Sequence, residues 1–142
     1  RFKWIMKQEV RKIPFVGAAC EAAGHIFINR ESAKMSNQSI IEAEKKLKNG
    51  ASIVMFPEGH RTKDGKLQPF KRGAFHLAND LHLPIIPITI KGAYKVMNVH
   101  SFFIHPGKIT VKIHPQIDTT QLTHDNINEY ADKVKNIINQ DL

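Results

Sequence analysis

The sequence predicts an α/β fold, a largely parallel or mixed sheet flanked by helices. Apolar runs of strand length, among them "HIFINR", "ASIVMF" and "LPIIPITIKG", alternate with segments whose apolar residues recur at helical spacing. The stretches between them carry turn residues such as Pro57, Gly59, Asp64-Gly65 and Pro69. Strands that alternate with helices at this interval form right-handed crossovers in a layered sheet, and a chain of 142 residues suits one such domain.

Each element has its own signal. "FKWIMKQEV" alternates as a strand, with Phe2, Trp4 and Met6 on one face and Lys3 and Ile5 on the other. Pro14 to Gly24 is small and apolar and reads as a short helix that holds Cys20 as a core residue. "HIFINR" is a compact strand that ends in Asn29 and Arg30. Ser39 with Glu42 has the capping-box spacing and opens a helix that stops at Asn49-Gly50. "ASIVMF" is apolar on both faces, which predicts a central, doubly covered strand. After the loop of residues 57–70, helix returns with Ala74, Ala78 and Leu81 on one face. "LPIIPITIKG" reads as a buried strand, and "KITVKIHP" alternates Ile109, Val111 and Ile113 against Thr110 and Lys112. Ile127, Tyr130, Ala131, Val134, Ile137 and Ile138 then mark an amphipathic closing helix.

The charge balance narrows the function classes. A formal charge of +8 favours anionic partners, whether phosphate esters, nucleic acid or acidic lipid. The basic residues lack the interleaved aromatics of a single-strand reader, so nucleic acid is not an expected partner. One cysteine fits a reducing compartment. No apolar run reaches the length of a membrane-spanning helix. Walker, dinucleotide-binding and serine-elbow signatures are absent, and the eight histidines show no metal-ligand spacing, so no metal is expected; His76 and His114 read as structural. "VHSFFIHPG" is a small apolar loop that reads first as packed, with contact to lipid as the alternative.

Open α/β sheets place ligands beyond the carboxyl ends of their strands. "HIFINR" and "IVMFPEG" both deliver polar residues there. If those strands are parallel neighbours, Arg30 and the segment Glu58-Gly59-His60-Arg61 converge on one sheet edge. Two guanidinium groups bind a phosphate monoester bidentately and stay charged at every relevant pH. Gly59 admits backbone close to a ligand, and Glu58 orients an arginine or accepts from a substrate hydroxyl. Lys63 and Lys66 read as solvated surface.

"FPEGHRTKDGKLQPFKRGAFHLA" (Phe56 to Ala78) resembles the signature block of the glycerolipid acyltransferases, most closely the bacterial 1-acylglycerol-3-phosphate branch. "GHIFINR" and "LPIIPITIKG" resemble the blocks on either side of it. The resemblance implies a glycerol-3-phosphate acyltransferase-like fold and no cofactor. It implies transfer of a fatty acyl group from acyl-CoA or acyl-carrier protein to lysophosphatidate, at the cytoplasmic face of the membrane and on a membrane surface. It places Arg30, Glu58, Gly59, His60 and Arg61 at the acceptor, with Lys7 matching a lysine near the acceptor phosphate. A related enzyme acting on glycerol-3-phosphate or another lysophospholipid, and a non-catalytic anion-binding domain, are the alternatives.

Two departures stand out. The family's base is a His-x-x-x-x-Asp pair, whereas the residues five positions after the eight histidines are Arg30, Gly65, Leu81, Pro87, His105, Thr110, Thr119 and Glu129. Since the sequence opens at Arg1, the pair is expected upstream of it, and the 142 residues alone are expected to be inactive. His60 also stands where the family has threonine. It is read as a hydrogen-bonding replacement rather than, with Asp64, a substitute dyad.

Overall fold

The computed structural model describes residues 2–28, 41, 44, 45, 47, 50–101 and 103–142. The chain divides into two compact units, Arg1–Met55 and Phe56–Leu142.

The first unit contains β1 (Phe2–Lys7), a 3-10 turn (Gln8–Lys12), α1 (Val16–Ala22), β2 (Ile26–Ile28) and β3 (Ser52–Val54). Its described strands form a parallel sheet in the order β2-β1-β3. The register sets Ile5 beside Ile26, and these two are 6% and 0% exposed. The buried face of β1 is therefore the Ile5 face, not the one that carries Phe2, Trp4 and Met6. Alternation shows that a strand has two faces, while the neighbouring strand selects which one is covered.

The expectation of a central strand at "ASIVMF" is corrected. β1 takes the centre, and β3 lies at an edge of the described sheet with Ser52 exposed and Ile53 and Val54 half-buried. A continuous apolar run reports cover on the faces, whereas lateral order follows from the crossovers. β2 and β3 are consequently not neighbours. They run in the same direction on either side of β1, about 10 Å apart laterally, with the carboxyl end of β2 level with Lys7 and that of β3 level with Trp4, three residues short of it.

α1 starts two residues later than expected, at Val16, and Cys20 on it is only half-buried rather than a core residue. Residues 41, 44, 45 and 47 are helical, as expected, and the capping-box pair Ser39 and Glu42 lies outside the described residues.

The second unit contains α2 (Gly73–Asp80), β4 (Ile88–Lys91), α3 (Ala93–Val96), β5 (Thr110–Ile113) and α4 (Ile127–Asn139). β4 and β5 pair antiparallel, so the sheets are mixed across the chain. Phe75 and Ala78 of α2 pack with Ile117, Leu122 and the α4 stripe Ile127, Ala131, Val134 and Ile138. That stripe is the one the helical spacing predicts, with Tyr130 and Ile137 half-buried at its margins. On α2 the anchor is Phe75, 2% exposed, rather than Leu81.

β4 is not a buried strand. Thr89 is 1% exposed, while Ile88 and Ile90 on its other face are each 39% exposed. Their register partners Ile113 and Val111 are exposed too, so the hairpin covers one face and leaves an apolar one open. Thr89 sits beneath α4, where its hydroxyl donates to the Ile138 carbonyl at 3.3 Å. His114 Nε2 lies 2.7 Å from the same hydroxyl oxygen. A hydroxyl has one proton, and a carbonyl can only accept, so Nε2–H of His114 is the donor to Thr89. That makes His114 a satisfied structural histidine.

Candidate functional site

The segment that follows β3 is a loop tied across its own base. The Lys71 N–H donates to the Pro57 carbonyl at 2.8 Å. The Gln68 N–H donates to Glu58 Oε2, also at 2.8 Å. Gly59 turns the chain at φ +79°, where a side chain is strained, and its N–H donates to the Phe56 carbonyl at 3.1 Å. A Cβ at Gly59 would lie 3.0 Å from the flexible Lys71 side chain, so the backbone angle, more than space, demands glycine.

The far end of the loop is organised by Asp64. Its Oδ1 accepts from Thr62 Oγ1 at 2.8 Å, from the Lys66 N–H at 3.1 Å and from Gln68 Nε2 at 3.3 Å. The Lys66 N–H and the Thr62 hydroxyl hold the Asp64 carboxyl below the ordinary carboxylate range. Gln68 Nε2 also lies 3.0 Å from the Lys66 carbonyl oxygen and 3.4 Å from Thr62 Oγ1. Tyr94 braces the outside: its hydroxyl donates to the Lys63 carbonyl at 2.8 Å and its ring lies against Gly65.

Gln68 thus joins both halves of the loop, by its backbone to Glu58 and by its side chain to Asp64. His60 and Arg61 are held between these two ties and are exposed to solvent. Five cationic side chains (Arg61, Lys63, Lys66, Lys71, Arg72) face two carboxylates here, and both carboxylates are engaged in the loop's own hydrogen bonds. The result is a preformed, net positive turn with an exposed guanidinium, suited to an anion.

Glu58 therefore acts through loop closure in this structure. Asp64 is committed to Thr62, Lys66 and Gln68, the contacts of a turn rather than of a base partner for His60. Lys7 ends β1, exposed, level with Ile28 of β2 in the first unit. Arg30 lies outside the described residues. Sequence reasoning missed Gln68 and Tyr94. Asp64-Gly65 is a visible turn signal, but nothing local marks a glutamine or a tyrosine as its brace, because both act on residues that only the fold brings near. Among the described residues no cluster of His, Cys, Asp or Glu is suited to a metal ion.

A profile of the acyltransferase family matches residues 1–91, and the chain belongs to that family. Its relatives include the 1-acyl-sn-glycerol-3-phosphate acyltransferase of Limnanthes douglasii, 37% identical over 134 residues, which is 94% of this chain and 48% of that protein. The enzyme of the same name from Escherichia coli strain K12 is 33% identical over 135 residues, 94% of this chain and 54% of that protein. Among solved structures, the 1-acyl-sn-glycerophosphate (LPA) acyltransferase PlsC from Thermotoga maritima superposes with a TM-score of 0.79 at 30% identity, covering 98% of this chain and 54% of that one. The chain spans about half the length of the curated relatives it matches. The mixed α/β fold expected from the sequence is the fold found.

Proposed function

We propose that this chain carries the acceptor-binding part of a 1-acylglycerol-3-phosphate acyltransferase, which moves a fatty acyl group from acyl-CoA or acyl-carrier protein to lysophosphatidate and yields phosphatidate at the cytoplasmic face of a membrane. The observation that carries this reading is the doubly tied loop of residues 57–71, which presents Arg61 on a rigid turn. The names of the relatives supply the reaction.

In this reading Arg61 engages the acceptor phosphate with its planar fork, and Arg30 and Lys7 are acceptor residues by the family resemblance alone. His60 donates or accepts beside it, and Glu58 and Gly59 set the backbone. The phosphate anchors the acceptor so that its free hydroxyl meets the thioester; the new ester bond forms as the carbon–sulfur bond breaks, and the hydroxyl proton passes through a general base to the departing thiol. No histidine of these 142 residues has aspartate five positions on. The chain alone is therefore proposed to bind lysophosphatidate without turning it over.

Titration calorimetry of the 142-residue chain with lysophosphatidate tests this. Arg61→Ala is expected to weaken binding by roughly tenfold to a hundredfold, the range of a lost charge-assisted hydrogen bond of about 1.5 to 3 kcal/mol. Binding that is unaffected by Arg61→Ala removes the acceptor site. Robust turnover by the chain alone removes the division between acceptor binding and base. Glycerol-3-phosphate and lysophosphatidylethanolamine, used as competitors, distinguish lysophosphatidate from related acceptors.

A further inference from the structure

Residues 97–101 and 103–108 of the second unit belong to a loop that presents Phe103 and Ile104 to solvent on a braced backbone. Phe103 is 78% exposed and Ile104 73% exposed, in place of the packed loop the sequence predicts. The exposure is built in. The His105 N–H donates to the Val96 carbonyl at 2.8 Å and closes the loop at its base. The His100 N–H donates to Asn98 Oδ1 at 2.9 Å, and the Ser101 hydroxyl accepts from the Phe103 N–H at 3.0 Å and donates to the Phe103 carbonyl at 3.1 Å. The His100, Phe103 and His105 N–H groups and the Phe103 carbonyl are satisfied in this way, which lowers the cost of taking them out of water.

The stretch of sequence around the loop carries charge of one sign. Between Asp80 and Asp118 the sequence contains no aspartate or glutamate, but it contains Lys91, Lys95, Lys108 and Lys112. Lys112 is paired with Asp141 at 2.7 Å, whereas Lys95 and Lys108, which flank the loop, are exposed. Adjacent exposed apolar side chains in a stretch of sequence that carries lysines and no acids match the chemistry of an anionic bilayer surface, with an apolar tip for the acyl boundary and cations for the phosphates.

We infer that the described part of the loop between α3 and β5 is an interfacial wedge that seats the chain on anionic membrane, with Phe103 and Ile104 entering the headgroup boundary and Lys95 and Lys108 meeting lipid phosphates. The inference rests on the lipid-acceptor reading for its purpose and on the loop alone for its geometry. A wedge of this kind holds the chain where an acceptor with a buried acyl tail presents its headgroup.

The test is co-sedimentation of the 142-residue chain with vesicles of phosphatidylcholine alone and of equal parts phosphatidylcholine and phosphatidylglycerol. The double substitution Phe103→Ser/Ile104→Ser is expected to lower partition onto anionic vesicles by tenfold or more. Lys95→Gln/Lys108→Gln is expected to lower it by roughly twenty-five-fold and to reduce its salt dependence, given roughly a fivefold gain for each lysine at such a surface. With Phe103→Trp, the added fluorescence shifts to the blue on anionic vesicles and is quenched by lipids brominated on their acyl chains. Unchanged partition in the serine variant, or no quenching in the tryptophan variant, overturns the inference. A dimer in lipid-free solution that the serine variant abolishes also overturns it, by assigning the loop to a second copy of the chain. Circular dichroism matched to the parent chain confirms that each variant is folded. Vesicle binding through Phe103 with no affinity for lysophosphatidate would sink the proposed function and spare the wedge; the reverse result would do the opposite.

Discussion

Replacing Glu58 separates a residue that shapes the site from one that touches the substrate. Its carboxylate accepts the Gln68 N–H at 2.8 Å and ties the loop at residues ten apart. A hydrogen bond to a charged group is worth about 1.5 to 3 kcal/mol net, and a half-buried carboxylate belongs at the low end. Glu58→Ala is therefore expected to cost about 1.5 kcal/mol of loop closure, roughly tenfold in the closed population. The Lys71 to Pro57 bond remains, so the loop loosens without being lost. Lysophosphatidate affinity is expected to fall by up to about tenfold, because binding must then restore the order that Glu58 maintains. Glu58→Gln keeps a carbonyl acceptor at the same reach and is expected to stay within about threefold of the parent. Calorimetry gives the affinities, and hydrogen exchange at the Gln68 amide reports closure independently, rising in the alanine variant and little in the glutamine one. If alanine and glutamine variants lose affinity equally while Gln68 exchange stays at the parent level, the carboxylate acts on the ligand and the loop-closure argument is wrong.

Other outcomes follow from particular contacts. Thr89→Val removes the hydroxyl that serves both His114 and the Ile138 carbonyl in a buried setting, and is expected to cost about 1 to 3 kcal/mol in urea unfolding; a loss near zero would show that these groups find other partners. Gly92→Ala places a Cβ 2.3 Å from the Lys108 carbonyl oxygen at φ +89°, so it is expected to cost more than the roughly 1 to 2 kcal/mol of left-handed strain alone. Gly59→Ala, facing only a flexible lysine, is expected to cost about that strain and no more, and equal losses at the two sites would contradict the distinction. Asp64 has a folded-state pKa below its unfolded one, so its contribution to loop order is complete above the ordinary carboxylate pKa and is lost as pH falls through the lower folded value. The Lys66 amide chemical shift is expected to titrate below the ordinary carboxylate midpoint, and a midpoint at or above that value refutes the Asp64 tie.

The closing helix was legible because Ile127, Ala131, Val134 and Ile138 keep one face toward a single core, and periodicity reports a face directly. The strands were legible as strands but not in their placement. "ASIVMF" reads as central by its apolar run and lies at an edge of the described sheet, and Ile88 and Ile90 read as core but line an open face. In the candidate site, the position of Glu58 to Arg61 after a strand was visible in the order of residues. The use of Glu58 was not, since its partner is a backbone N–H that becomes near only when the loop closes.

By itself, the sequence determined the α/β class, the order of its elements, the positive charge and the family resemblance, all of which are written in local spacing and residue type. The tertiary structure decided that Ile5 is buried and Ile90 is not, that Gln68 links the two halves of the signature loop, and that Phe103 and Ile104 stand in solvent. Each of these depends on which residues distant in sequence come to lie side by side, and spacing along one strand or one loop cannot encode that neighbour.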